Sequence, residues 1–279
     1  MDFDGVVGYS GHTLEKQQDF QRLATIIFGA ISGIVTRYRN VSPRAIAIDL
    51  NAGPGDYPNC LGSPLIALDA ARKFQLPPDL HLCEENQGVA ARLREMLEIF
   101  GLLSPTQENG LILRSQDPRD AITVWIWPHS YQTAWPKIVR TIQRRQEGLV
   151  YGLIYSDENG SEPPFALLRE AAERLQRVDL IIHVSATNLK RLIGARYRSD
   201  EVRLSEQMLQ LGKRFWLIRE PRRQHQWTFL LGTNWDNFPE YTMAGFFDSA
   251  SPRGRHIIRQ LSYSERERLN NEQLPLFGP

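Results

Sequence analysis

Four short polar clusters in this sequence each follow an apolar run, and each carries residue types that suit one part of a nucleoside ligand. In Asp49-Leu50-Asn51-Ala52-Gly53-Pro54-Gly55 an acid ends the run, and glycines then let the backbone approach a ligand closely. Asp49, Asn51, Gly53, Pro54 and Gly55 are the candidate lining of a pocket for a small charged group. The turn is not the G-x-G-x-x-G dinucleotide fingerprint, because Pro58 stands at the third glycine position, and no Walker lysine follows. Glu84 ends a second apolar run, where a carboxylate can accept both hydroxyls of a ribose, with Glu85 its competitor in register. Asp117 follows a third run and suits an adenine amino group, although Asp117-Pro118 also reads as a plain turn. Ser156-Asp157-Glu158-Asn159-Gly160 follows a fourth run. There Asp157 is placed to position or deprotonate a nucleophile, and Asn159 to accept from an exocyclic amine.

A ribose, an adenine and a small charged group together describe S-adenosylmethionine, the cofactor expected here. The elements that must carry these clusters alternate. A helix is expected over Leu14–Arg39, then strands at Ala45–Leu50 and Leu80–Glu84 with a helix at Pro64–Phe74 between them. A helix over Gln87–Phe100 leads to a third strand at Leu111–Arg114, with Ile122–Trp127 as an extra strand or hairpin partner. A helix over Trp135–Gln146, a strand at Leu149–Tyr155, a helix over Pro163–Gln176 and a strand at Asp179–Val184 continue the pattern. A hairpin of Arg214–Glu220 and Gln226–Thr233 closes it. The fold class this predicts is α/β, a doubly wound and mostly parallel sheet with an antiparallel terminal hairpin. In such sheets ligands bind beyond the carboxyl ends of the strands, where all four clusters fall.

Asp49 to Gly55, followed by Gly62-Ser63-Pro64-Leu65-Ile66-Ala67-Leu68, resembles the D-x-F-A-G-P-G…G-S-P-L-x-A-L signature of the three-Cys-motif partner proteins. Glu84 and the Asp157–Gly160 block match more loosely, and the resemblance covers about residues 40–190. It implies a Rossmann-like class I methyltransferase fold with a seven-stranded sheet. Asn51 stands where an aromatic is usual in that family, and Glu158 where a proline is usual. Related amino-methyltransferases carry D-P-P-Y or N-P-P-Y at that second place, shaping a pocket for the target base. The expected division is an N-terminal helical extension over 1–40, a methyltransferase-like domain over 41–235 and a C-terminal extension over 236–279.

Of the 33 basic residues only 5 are lysines. The net charge of +1 averages a local +6 between Lys190 and Arg268 against −5 elsewhere. Lys190, Arg191, Arg196, Arg219, Arg222 and Arg223, with Trp216, Trp227 and Trp235 nearby, are the candidate nucleic-acid contacts, since arginine forks grip phosphates and aromatic rings stack on bases. The leading function is methyl transfer from S-adenosylmethionine to nucleic acid, DNA foremost. One alternative is a catalytically silent nucleic-acid-binding subunit of a phage or defence assembly with a protein partner. The other is a methyltransferase for a small molecule or a protein. Gln273-Leu274-Pro275-Leu276-Phe277 resembles the peptide that tethers bacterial DNA-processing proteins to the replication sliding clamp.

His183 reads as a buried core residue and His225 as a loop residue, while His81, Cys83 and Cys60 lack zinc-site spacing, so no metal is expected. Two cysteines build no disulfide framework, no apolar run is long enough for a bilayer, and Met1-Asp2-Phe3-Asp4 lacks the features of a signal peptide. The cytoplasm is the expected compartment.

Overall fold

The computed structural model describes residues 13–38, 44–103, 107–108, 110–117, 121–144, 149–158, 163–185, 200–221, 227–236 and 239–262. Their contacts divide into two compact units, residues 1–157 with 174–181, and residues 158–173 with 182–279.

The first unit is built on parallel strands whose sequences are almost wholly apolar. These are β1 (Arg44–Asp49), β4 (Pro78–Cys83), β8 (Thr123–Trp127) and β9 (Val150–Ser156). Nearly every residue in them is buried, as expected for strands covered on both faces. β1 lies between β4 and β9, with Asp49 level with Leu82 on one side and Tyr155 on the other. The chain therefore runs outward from β1 through β4 to β8, then returns to β9 on the opposite side of β1. That reversal of strand order between β1 and β9 opens a crevice at their carboxyl ends. The expected Rossmann-like α/β fold is the one observed.

Ile122–Trp127 and Leu111–Arg114 exchange their expected parts. β8 is the third parallel strand, pairing with β4 from Asp79↔Thr123 to Cys83↔Trp127. β7 (Gly110–Ser115) is antiparallel to it, Arg114 facing Thr123. β5 (Leu102–Leu103) and β6 (Gln107–Glu108) pair with β7 and widen that side of the sheet. Between β1 and β4 come a two-strand hairpin, β2 (Asp56–Tyr57) and β3 (Cys60–Leu61), and helix α2 (Ser63–Lys73).

Helix α1 (Thr13–Arg37) buries Phe20, Leu23, Ala24, Ile27, Phe28 and Ile31 along one stripe, and packs on α2 and β9. The Phe20 and Tyr155 rings meet with centroids 4.3 Å apart. The same stripe also buries Thr13, Lys16, Gln17 and Asp19. Helix α3 (Gln87–Ile99) is capped by Asn86, whose side chain accepts from Gly88 N at 2.9 Å and Val89 N at 3.1 Å. Helix α4 spans Tyr131–Arg144 and contains Pro136 beyond its first turn, so it begins earlier than Trp135.

The second unit holds helix α5 (Phe165–Arg174, divided from the first unit at its last residue), α6 (Asp200–Gln210), α7 (Pro239–Met243) and α8 (Pro252–Ser262). β10 (Val178–Ser185) contributes its residues from Ile182 onward. β11 (Phe215–Arg219) and β12 (Trp227–Thr233) form the expected antiparallel hairpin. A short strand, β13 (Phe246–Asp248), adds to the other side of β11. His183 is buried as expected, its ring 5.5 Å from both Trp227 and Phe229. Among the described residues no helix is long and apolar enough to cross a membrane.

Candidate functional site

Three carboxylates converge at the carboxyl ends of adjacent strands: Asp49 on β1, Glu84 after β4 and Asp157 after β9. Their placement follows from register, because each strand ends its apolar run at the same edge of the sheet.

Asp49 is buried, and its Oδ1 accepts from Asn51 N at 3.0 Å. Its Oδ2 is buried without a hydrogen-bond partner among the described residues. Burial raises its pKa from 3.8 to about 7. The Ser63 side chain and the Asn51 amide pull the other way, and the charges of Asp157 and Glu84 add to the rise.

Glu84 is committed to the backbone around it. Its Oε2 accepts from Gly53 N at 3.1 Å and its Oε1 from Asn86 N at 2.9 Å. The carboxylate thus ties the glycine turn to the start of α3. Gly53 and Gly55 have φ of 64° and 84°, a region that side chains disfavour, so the turn needs glycine there. A Cβ on Gly53 would also lie 2.9 Å from the Tyr57 hydroxyl. Tyr57, on the β2–β3 hairpin, shares the field of this acidic group. Burial first, then the charges of Asp157, Asp49 and others including Glu84, push its phenol above the usual value.

Asp157 is joined to the opposite end of the unit's sequence. Its Oδ2 accepts from Lys16 Nζ at 2.7 Å and from the Tyr155 hydroxyl at 3.2 Å. Both side chains of the ion pair are about nine-tenths buried, at 9% and 11% exposed. Asp157 lies at the strand edge where the sequence led one to expect it, and the sequence did not single out Lys16, Tyr57, Ser63 or Tyr155. One signal pointed to Lys16: it lies on the apolar stripe of α1, three and four residues from Thr13 and Phe20.

Two expectations need correction. Asp117 follows β7, which runs against β8, so it lies near the start of β8, at the opposite edge of the sheet from Asp49 and Glu84. The position expected for it is held instead by Trp127, Pro128 and His129, where β8 ends and Glu84 N donates to Trp127 O at 3.1 Å. Arg219 is buried in β11, between β12 and β13, and its carbonyl accepts from the Thr228 hydroxyl. It is a core arginine of the second unit, not a surface contact. Asn159, Lys190, Arg191, Arg196, Arg222, Arg223, His225 and the Gln273–Phe277 peptide lie outside the described residues. His81 stacks on Trp125 at 4.6 Å within the sheet, Cys83 is buried, and no group of metal-ligating side chains occurs among the described residues.

No protein-family model matches the sequence, and no curated protein does. Among solved structures, a Legionella pneumophila protein of the DUF519 family superposes with a TM-score of 0.47 at 10% identity, covering 81% of this chain and 89% of its own. Trm1 from Pyrococcus horikoshii, solved with S-adenosyl-L-methionine, gives 0.43 at 13% identity over 78% of this chain and 55% of that one. The METTL16 methyltransferase domain gives 0.43 at 12% identity, covering 79% and 68%.

Proposed function

We propose that this chain is an S-adenosylmethionine-dependent methyltransferase acting on nucleic acid, DNA foremost. The observation that carries the reading is Asp49. It is a buried carboxylate with one unpartnered oxygen, set at the end of β1 where the strand order reverses. An isolated buried charge is costly, and a cationic ligand group relieves that cost. The amino acid end of the cofactor carries such a group, an ammonium. Asp49 would hold it, with Asn51, Gly53, Pro54 and Gly55 forming the wall. Glu84 uses one oxygen lone pair for each backbone amide and keeps others for ribose hydroxyls. Trp127, Pro128 and His129 take the adenine side in place of Asp117. Bound there, the cofactor supplies a methyl group already activated by its sulfonium. What remains for the chain is placement of the acceptor. Asp157 and Asn159 are the proposed orienting pair, with Asp157 held in position by Lys16 and Tyr155.

The nucleic-acid assignment rests on the Arg-rich segment between Lys190 and Arg268 and on the likeness to three-Cys-motif partner proteins. Calorimetry of the full chain with S-adenosylmethionine tests the cofactor assignment. Binding that Asp49→Ala abolishes is expected, and no binding at millimolar cofactor overturns it. A second reading, a catalytically silent nucleic-acid-binding subunit, is favoured by one observation: Lys16 and Tyr155 already occupy Asp157 Oδ2, where an acceptor amine would donate. Mass spectrometry of nucleosides from cells with and without the protein separates the two, since only the enzyme leaves a methylated nucleoside.

A further inference from the structure

Helix α4 presents a stripe of positive charge to solvent. Its sequence, Tyr131-Gln132-Thr133-Ala134-Trp135-Pro136-Lys137-Ile138-Val139-Arg140-Thr141-Ile142-Gln143-Arg144, holds three cations and no acid. Ala134, Trp135, Ile138 and Ile142 are buried on one side. Lys137, Arg140 and Arg144, at spacings of three and four, are exposed on the other. Among the described residues no ion pair involves any of the three.

Helix α3, in the same unit, treats its arginines differently. Arg92 pairs with Asp56 at 3.0 Å and with Glu95 at 3.3 Å, and Arg94 pairs with Glu98 at 2.8 Å. On α4 the helix dipole favours Arg144, which lies in the last turn, but not Lys137 or Arg140 further in. Like charges three and four residues apart on a helix repel. Local stability therefore gives no reason for the Lys137 and Arg140 charges.

The exposed face suits a soluble polyanion. None of the large apolar side chains exposed among the described residues lies on α4, so the face is not built for insertion into a membrane surface. At about 1.5 Å per residue, Lys137 to Arg144 spans about 10 Å of the helix axis. One strand of a duplex offers a phosphate about every 3.4 Å of rise, so three cations over that length meet a matching density of charge. The helix starts where β8 ends, at the carboxyl edge of the sheet that also carries Glu84 and Asp49. Lys137 lies about 9 Å along the axis from that start.

We propose that the exposed face of α4 is a contact surface for the nucleic-acid phosphate backbone, with Lys137, Arg140 and Arg144 each taking a phosphate. It belongs to the first unit, outside the Arg-rich segment from Lys190 to Arg268. The proposal rests on the nucleic-acid part of the proposed function, and its assay needs no cofactor, so the methyltransferase part of that reading can fail without it. The test is fluorescence anisotropy of the full chain with labelled DNA duplex and with labelled single-stranded DNA and RNA, titrated across a salt series. Lys137→Gln/Arg140→Gln/Arg144→Gln is expected to weaken binding at low salt by at least about tenfold. It should also reduce the slope of log affinity against log salt by about 2.7 for duplex and about 2.1 for single strands. Lys137→Arg/Arg140→Lys/Arg144→Lys, which keeps the charge, should retain most of the slope. Arg92→Gln/Arg94→Gln, which removes arginines already paired with carboxylates, should leave it unchanged. An unchanged slope in the triple Gln variant, with circular dichroism showing it folded and wild-type binding intact, overturns the proposal alone. Absence of wild-type binding at low salt overturns it together with the nucleic-acid reading. An equal loss of slope in the α3 variant shows a general effect of charge and overturns it too. If the triple variant does not fold, Lys137→Gln and Arg140→Gln singly decide, each expected to lower the duplex slope by about 0.9, and unchanged slopes overturn the proposal. Binding to phosphatidylserine vesicles that the Gln variants lose while nucleic-acid binding stays intact also overturns it and reassigns the face to an anionic membrane.

Discussion

Lys16 Nζ and Asp157 Oδ2 lie 2.7 Å apart, joining the N-terminal helix to the end of β9 across 141 residues of sequence. Each is nearly buried, and the Tyr155 hydroxyl donates to the same oxygen. The pair ties α1 to the end of β9, and it holds one of the three carboxylates at the edge of the sheet.

Breaking this pair from one side leaves an uncompensated buried charge. Lys16→Met and Asp157→Asn should each lower unfolding free energy by about 3–5 kcal/mol, and the double variant should lose much less than the two costs added together. A urea-unfolding double-mutant cycle checks this, and strictly additive losses would contradict it.

Asp49 links pH to both stability and ligand affinity. Its folded pKa, about 7, lies above the usual 3.8, so the folded state holds a proton that the unfolded state releases first. The stability it contributes is complete below about pH 4 and is lost as pH rises toward 7. The loss amounts to a few kcal/mol at one pKa unit per 1.36 kcal/mol. Asp49→Asn should remove this dependence, so the variant gains on the wild type between pH 4.5 and 7.5 in urea unfolding. A difference between the two that does not vary with pH would count against the burial argument.

Glu84 should act on the ligand pocket through the glycine turn. Glu84→Gln keeps one acceptor oxygen for two backbone amides, so either Gly53 N or Asn86 N loses its partner, at about 1–3 kcal/mol. Gly53→Ala adds left-handed strain and a clash with Tyr57. Both should weaken cofactor binding in calorimetry, whereas Asp117→Ala should leave it unchanged.

Arg219 belongs to the core of the second unit, between β12 and β13. Arg219→Gln removes a buried guanidinium and should lower stability by about 1–3 kcal/mol without altering the salt dependence of nucleic-acid binding. A lowered slope for this variant, measured by anisotropy beside a thermal melt, would place Arg219 on the binding surface after all.

The sheet was legible because β1, β4 and β9 are continuous apolar runs bounded by polar clusters, and those boundaries put Asp49, Glu84 and Asp157 at one edge. Strand direction was not legible. β7 and β8 are equally short and apolar, and only pairing shows that β8 lies parallel to β4 while β7 turns back. That single exchange carried Asp117 to the wrong edge. Lys16 escaped notice because a lysine in a helix reads as solvated, although its place in the stripe of Thr13, Gln17 and Phe20 marked it as buried. Arg219 erred the other way: an arginine near a hairpin loop reads as exposed, and the third strand that covers it, β13, is three residues of a segment read as tail.

The most direct measurement is isothermal calorimetry of the full chain with S-adenosylmethionine at several pH values from 5.5 to 8.5. Because the cationic end of the ligand needs Asp49 ionised, affinity should rise about tenfold per pH unit below about 7 and level off above it, with the slope absent in Asp49→Asn. No binding at any pH, or binding that Asp49→Asn leaves intact with its slope, would contradict the assignment of this crevice to the cofactor.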